Sequence, residues 1–243
     1  ERTDVRVIGW GAGIAIAAAL TSLAAGFGTH HGWWSYLTAF SILQVAVLCG
    51  FAGAVVALVA LSIAGRRRLR GPLHSGIYWA LISALVIGVP WHLATQLSRF
   101  PPIHDITTDT NNPPQFVDVL ALRKDAPNDA SYGGPALAAA QKAGYPDLGP
   151  ALLALPANEA FDRALTVARN SGWEIVAAAR ADNRIEATAT TALLAFKDDI
   201  VIRITPTDSG SRVDVRSVSR VGVSDLGANA KRIRAFLQQL TAR

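Results

Sequence analysis

The polar residues with the strongest claim on chemistry lie late in the chain: Asp198, Asp199, Arg203, Arg216, Arg220 and Asp225. Their spacing places Arg203 and Arg216 on neighbouring strands, both pointing away from an Ile and Val face. Two guanidinium groups side by side suit a carboxylate, a phosphate or a lipid headgroup. The competing expectation is a solvated sheet face on which they pair with Asp214 and Glu186. Val218 interrupts the alternation of Arg212, Asp214 and Arg216, and a bulge there would re-aim Ser217, Ser219 and Arg220. Earlier, His104 and Asp105 with Asp109 offer an acid–base set. The same segment equally supplies Asx-type turns through Asp105, Thr107, Thr108 and Asp109, and that reading is favoured. The five histidines, His30, His31, His74, His92 and His104, show no ligand spacing, so no metal and no cofactor are expected. The lone Cys49 lies in an apolar run, and no Gly-x-Ser-x-Gly elbow occurs. Gly9, Gly11 and Gly13 have no strand before them and do not form a dinucleotide loop. These residues do not assemble a reaction.

The elements that must hold them are of two kinds. Of 243 residues, 51% are hydrophobic and 17% charged, against about 25% charged in soluble domains. The deficit is local: no Asp, Glu, Lys or Arg occurs from Val7 to Gly65, nor from Gly71 to Ser98. Such stretches belong in a bilayer. Residues 1–99 hold seven of the 23 Lys and Arg and two of the 18 Asp and Glu, leaving sixteen of each beyond. The net charge of +5 therefore belongs to the membrane part and is a topology signal, not a nucleic-acid footprint.

Three spans are predicted, at about 7–27, 36–64 and 76–97, making residues 1–99 an all-α transmembrane region. The Arg66-Arg67-Arg68-Leu69-Arg70 cluster puts the loop between spans two and three in the cytoplasm, and Arg2 and Arg6 put the N-terminus there too. Residues 100–243 are then periplasmic, in the inner membrane of a Gram-negative bacterium. Trp33, Trp34 and Tyr36 suit a membrane interface. Gly9, Gly13 and Ala17 fall four apart, as do Gly11 with Ala15 and Gly50 with Ala54, a spacing that lets helices pack closely. Pro90 is expected to kink span three.

Residues 100–155 are rich in Pro, Gly, Asn and Asp but carry Ile103, Ile106, Phe116, Val117, Val119 and Leu120, which predicts an ordered wrap on a core, with a short helix near 134–142. An αββββα pattern follows. A helix opens at Pro156 or Asn158 and closes at Gly172. Strands are predicted at 173–180, at 184–190, around Ile200–Thr205 and at 212–220. Asp225 caps a last helix whose stripe is Leu226, Ala230, Ile233, Leu237 and Leu240. The fold class is an α+β domain, an antiparallel sheet with flanking helices and a long irregular wrap.

Several separated motifs, Ile103-His-Asp-Ile-Thr-Thr-Asp109, Pro113-Pro-Gln-Phe116, Tyr145-Pro-Asp-Leu148, Phe196-Lys-Asp-Asp-Ile-Val-Ile-Arg203 and the run from Val213 to Asn229, occur in order. Together they resemble the domain of unknown function 1499 family, an uncharacterised bacterial and plastid family. The resemblance covers about residues 100–240 and makes His104, Asp105, Asp109, Asp198, Asp199, Asp225 and Asn229 motif positions. It implies an N-terminal membrane region and no activity.

Two functional expectations follow. One is a non-catalytic accessory or structural protein whose spans dock in a larger membrane complex, with Gly9, Gly13 and Gly50 as packing positions. The other is a binding module for an anionic amphiphile or lipid, with Arg203, Arg216 and Arg220 as its ligands.

Overall fold

Apolar stretches too long for a soluble core become helices in which every backbone group is satisfied internally. The computed structural model describes residues 2–66, 70–97, 99–191 and 194–242. It has three such helices: α1 (Arg2–His30), α2 (Tyr36–Arg66) and α3 (Arg70–Leu97). Each contains a segment long and apolar enough to cross a membrane: Trp10–His30, Tyr36–Arg66 and His74–Thr95. Arg67 and Arg68 of the predicted cytoplasmic cluster lie outside the described residues. The chain forms two compact units, one containing these helices and the other formed by residues 97–191 and 196–243.

The helices meet through small side chains. In α2 the buried positions are Ala39, Ala46, Gly50, Gly53, Ala57, Ala60 and Ala64, separated by seven, four, three, four, three and four residues. In α1, Gly11, Ala15, Ala18 and Ala25 are buried in the same rhythm. This is a 3.5-residue repeat, the seam of a left-handed pair; the Gly11–Ala15 pair and Gly50 read from the sequence belong to it, whereas Gly13, Ala17 and Ala54 do not. A Cβ at Gly11 would lie 3.1 Å from Val56, one at Gly50 would lie 3.0 Å from Val86 of α3, and one at Gly53 would lie 3.0 Å from Ser83. Trp34 folds back to donate from Nε1 to the Ala25 carbonyl (3.1 Å), and its ring occupies the space a Cβ at Gly28 would need.

The second unit is built on a six-stranded antiparallel sheet. Its strands are β1 (Asp105–Thr107), β2 (Ala151–Leu153), β3 (Glu174–Ala179), β4 (Arg184–Thr190), β5 (Lys197–Thr207) and β6 (Gly210–Ser219). The order is β1-β6-β5-β4-β3, with β2 also on β6. β1 and β2 share the outer edge of β6, β1 along Arg216–Val218 and β2 along Ser211–Val213. Both are three-residue strands that the αββββα pattern omits. Gln141, on α4 (Gly134–Gly144), closes the free side of β1: its Oε1 accepts from Thr107 N–H (3.0 Å) and its Nε2 donates to the Thr107 carbonyl (2.6 Å).

Period-two alternation gives the sheet two faces. On one, Ile185, Ile200, Ile202, Ile204, Val213 and Val215 pack under α5 (Ala157–Asn170) and α6 (Ala228–Thr241), meeting Phe161, Ala164, Ala168, Ile233, Phe236 and Leu240. Trp173 stacks on Phe236 at 5.3 Å between centroids. The other face is covered by the irregular segment between β1 and α4, including a 3-10 turn at Val119–Arg123. Only a small apolar cluster, Phe116, Val119, Val201 and Val218, lies there.

Two local expectations change. The β5–β6 ladder runs in unbroken register from Asp198↔Ser219 to Thr207↔Gly210, so β6 has no bulge. Val218 is apolar because its place on that face is in the Phe116 cluster. The register shift falls in β3, between Ile175 and Ala177. Leu226 is not in the last helix: it precedes Gly227, the cap of α6, and holds φ of 53°.

Candidate functional site

Of the polar residues singled out in the sequence, Asp199, Arg203, Arg216 and Arg220 gather on the wrap-covered face, Asp199 and Arg216 fully buried and Arg203 and Arg220 partly so. Across the β5–β6 ladder Arg203 stands opposite Asp214 and Arg216 opposite Val201. The two arginines share a face but are diagonal, with Asp214 beside both. Arg216 is 0% exposed. Its Nε and Nη2 donate to the two oxygens of Asp105 (2.9 and 2.8 Å), Nη1 donates to Pro114 O (3.2 Å), and Nη2 also donates to Ala130 O (2.7 Å). The rings of Phe116 and Tyr132 flank it, with centroids 5.2 and 5.5 Å away. Burial, with Asp105 nearby, pushes the Tyr132 phenol up to about 12.

Arg220 forks onto Asp199 from Nε and Nη2, both at 2.8 Å, and donates from Nη1 to Leu122 O (2.9 Å). Asp199 also accepts from Arg123 and from Thr188 Oγ1 (2.7 Å). Burial would raise the Asp199 carboxyl, but the hydrogen bonds from Arg220, Thr188 and Arg123 outweigh it and hold it below its ordinary value. At the other end of the face, Arg203 and Arg212 converge on Asp109 and Asp214 at 2.9 to 3.3 Å. Asp109 also accepts from the backbone N–H of Asn111 and Asn112 (3.1 and 2.9 Å), the Asx turn expected of it. These bonds and the two arginines overcome its partial burial and lower its carboxyl. Glu186, 0% exposed, accepts from Val117 and Val119 N–H, each at 2.8 Å, and from Arg184 Nε. Arg184 extends to Asp118 at 2.8 Å.

The layer thus contains six arginines (Arg123, Arg184, Arg203, Arg212, Arg216, Arg220) and seven carboxylates (Asp105, Asp109, Asp118, Asp182, Glu186, Asp199, Asp214). Six cations against seven anions leave no excess of positive charge. Arg123, Arg184 and Arg212 escaped the sequence reading. Arg212 had appeared only as one of an alternating series, and nothing local marks Arg123 as a residue that reaches Asp199 across 76 positions.

The other motif residues form a separate cluster where α6 begins. Asp225 accepts from Gly227 and Asn229 N–H (3.0 and 2.7 Å), so it does satisfy the helix start. Its carboxyl is raised, by burial first and Asp198 next. Asn229 ties the helix to the sheet: Ser217 Oγ donates to its Oδ1 (2.7 Å), and its Nδ2 donates to His104 O (3.0 Å) and Ser219 Oγ (2.9 Å). Arg232, also not anticipated, pairs with Asp198. The His104 ring lies 3.4 Å from Val223 O, and Asp105 is committed to Arg216, so His104, Asp105 and Asp109 do not converge as an acid–base set.

Of the packing glycines, Gly50 is sealed against α3, whereas a Cβ at Gly13 would meet nothing within 4 Å. Gly9 lies in α1, with its surroundings outside the described residues. Among the described residues no group of three His, Cys, Asp or Glu is placed to hold a metal ion.

No curated protein matches the chain. The family model described as "Protein of unknown function (DUF1499)" matches residues 105–240, from the first residue of β1 into the last turn of α6, and so spans both the ionic layer and the Asn229 cluster. Matched over more than half its length, the chain belongs to the DUF1499 family and carries three candidate membrane-spanning helices ahead of the family domain.

Proposed function

We propose that this is a membrane-anchored, non-catalytic accessory or structural protein of a bacterial envelope complex, with its α+β domain on the periplasmic side of the inner membrane. The observation that carries this reading is the state of the arginines. Arg216 and Arg220 are saturated by carboxylates and wrap carbonyls, and arginines whose charge and donors are already taken up in this way act as a fastening, not as a receptor. The spans add exposed large apolar residues such as Leu48, Leu58 and Leu85, which suit lipid or partner helices, and an open small-residue position at Gly13.

Purification in mild detergent tests the reading, with identification of what co-migrates. Gly13→Leu should release a partner while leaving the three-helix unit intact, whereas Gly50→Leu should disrupt that unit itself, because its added side chain meets Val86 and Ile87. Alkaline phosphatase fused after Arg243 should be active. A fluorescent but phosphatase-inactive set of fusions would contradict the periplasmic placement.

A second reading, a site for an anionic amphiphile, is favoured by one observation. The Arg203 side chain is 26% exposed and that of Arg212 36%, and Arg203 Nε has no hydrogen-bond partner. Loss of a bound lipid in Arg203→Ala, with normal behaviour of Gly13→Leu, would favour it over the accessory role.

A further inference from the structure

Between the end of α3 at Leu97 and Ile103, which is buried in the domain core, only five residues intervene, a reach of roughly 20 Å. If α3 spans the bilayer, the corner at which the chain enters the domain must lie close to the membrane surface. That corner is built by the loop after β6. Ser224 Oγ donates to Pro101 O (3.3 Å), Asp225 N–H donates to Ile103 O (3.2 Å), and the Phe100 ring fills the space a Cβ at Gly227 would need. The loop turns through left-handed backbone, with Gly222 at φ 93°, Leu226 at 53° and Gly227 at 78°, which the two glycines adopt freely. A left-handed leucine is strained and persists only where the surroundings enforce it. What this geometry presents outward is apolar: Val223 is 76% exposed, and Leu226 is exposed beside it. The exposed Leu122 is tied to the residue that leads into this loop, its carbonyl accepting from Arg220 Nη1 (2.9 Å), and the wrap segment it begins is held to the loop by Asn128 Nδ2, which donates to Gly222 O (2.9 Å).

We propose that Val223, Leu226 and Leu122 form a bilayer-docking edge that inserts into the interface of the leaflet from which α3 emerges, to the about 5–10 Å depth of other interfacial elements. The proposal rests on the membrane-spanning reading of α1–α3. Leu152 supplies an internal control: it is as exposed as Val223 (74%) but pairs with Arg212 at the start of β6, about 25 Å from the docking corner by strand rise.

The test uses the full chain carrying Cys49→Ala and one further substitution, Val223→Cys, Leu226→Cys, Leu122→Cys, Leu152→Cys or, within α2, Leu48→Cys. Each variant is labelled with an environment-sensitive fluorophore and reconstituted into phosphatidylethanolamine–phosphatidylglycerol vesicles with and without doxyl-labelled lipid. The expected result is blue-shifted, doxyl-quenched emission at 223, 226 and 122, quenching at 48, and water-like, unquenched emission at 152. If 223, 226 and 122 match 152 while 48 is quenched, the edge does not dock and the proposal is overturned with the spans intact. If 48 is also unquenched, the membrane-spanning reading and the docking edge fall together. Protection at 223 in cell membranes but not in these vesicles would assign the edge to a protein partner and overturn the lipid assignment.

Discussion

The two faces of the domain's sheet are covered by different means. One lies under α5 and α6, whose regular backbones satisfy their own hydrogen bonds and need only apolar contact, and its filling is Ile, Val, Phe and Ala. The other lies under an irregular segment that forms few backbone bonds of its own. A covering of that kind must have its carbonyls and N–H groups satisfied by side chains. The arginines do this while neutralising the carboxylates beside them: Pro114 O and Ala130 O are taken by Arg216, Asn128 O by Arg123, Leu122 O by Arg220, and the N–H groups of Val117 and Val119 by Glu186. The contrast teaches that a buried charge cluster can be the counterpart of a loop. Its polarity answers the backbone above it.

If so, the ionic face should be fragile to the loss of one partner. The largest effect is expected at Arg216→Ala, which strands Asp105 and two wrap carbonyls in the interior. Removal of one member of a buried pair costs about 3–5 kcal/mol, comparable to Ile202→Ala on the helix face at about 2–5 kcal/mol, and chemical denaturation of the two variants compares the faces directly. Glu186→Gln should cost less, about 1–3 kcal/mol, and should speed hydrogen exchange at Val117 and Val119 while leaving Ile233 and Phe236 protected.

The pH profile probes the ionic face from both ends of the scale. Asp199 and Asp109 have carboxyls lowered by folding, so their contribution is present above the ordinary carboxylate value near 3.8 and is lost as pH falls through the folded values. Tyr132, raised to about 12, contributes below pH 10 and loses that contribution between about 10 and 12. Acid should therefore loosen the wrap first, visible as lost protection in residues 109–132 before α5 or α6. The smallest effect should be at Arg203→Ala, about 1 kcal/mol or less, because the side chain is part-exposed and Arg212 still holds Asp109 and Asp214.

The sequence carried the helix-covered face in plain form, because Ile185, Ile200, Ile202 and Ile204 alternate with polar neighbours and the α5 and α6 stripes recur at helical spacing. The membrane helices were equally legible from the absence of charge, and the coarse order of motifs marked the family. The ionic face was legible only in its ingredients. Arg203, Arg216, Asp199 and Asp214 were visible as charges on one side of two strands, but sequence spacing does not say what lies above them. The partner of Arg216 is 111 residues away, and β1, which brings Asp105 there, is three residues of polar character that reads as a turn. The seam of the long apolar helices was only partly legible for a related reason, with Gly11, Ala15 and Gly50 in it and Gly13, Ala17 and Ala54 outside it. Gly and Ala are so frequent in α1 and α2 that a four-residue register is found among them as easily as the 3.5-residue one that packs.

The most direct test of the claim that the arginine layer exists to hold the wrap is hydrogen exchange on the full chain in detergent, comparing Arg216→Lys with the unchanged protein. Lysine keeps the charge but cannot make the fork onto Asp105 while reaching Pro114 O and Ala130 O. Exchange in residues 109–132 should accelerate by one to two orders of magnitude, as expected for roughly 1.4–3 kcal/mol, with α5 and α6 unchanged. Unaltered protection of the wrap, together with loss of a co-purifying anionic lipid, would contradict the account and make Arg216 a ligand-binding residue.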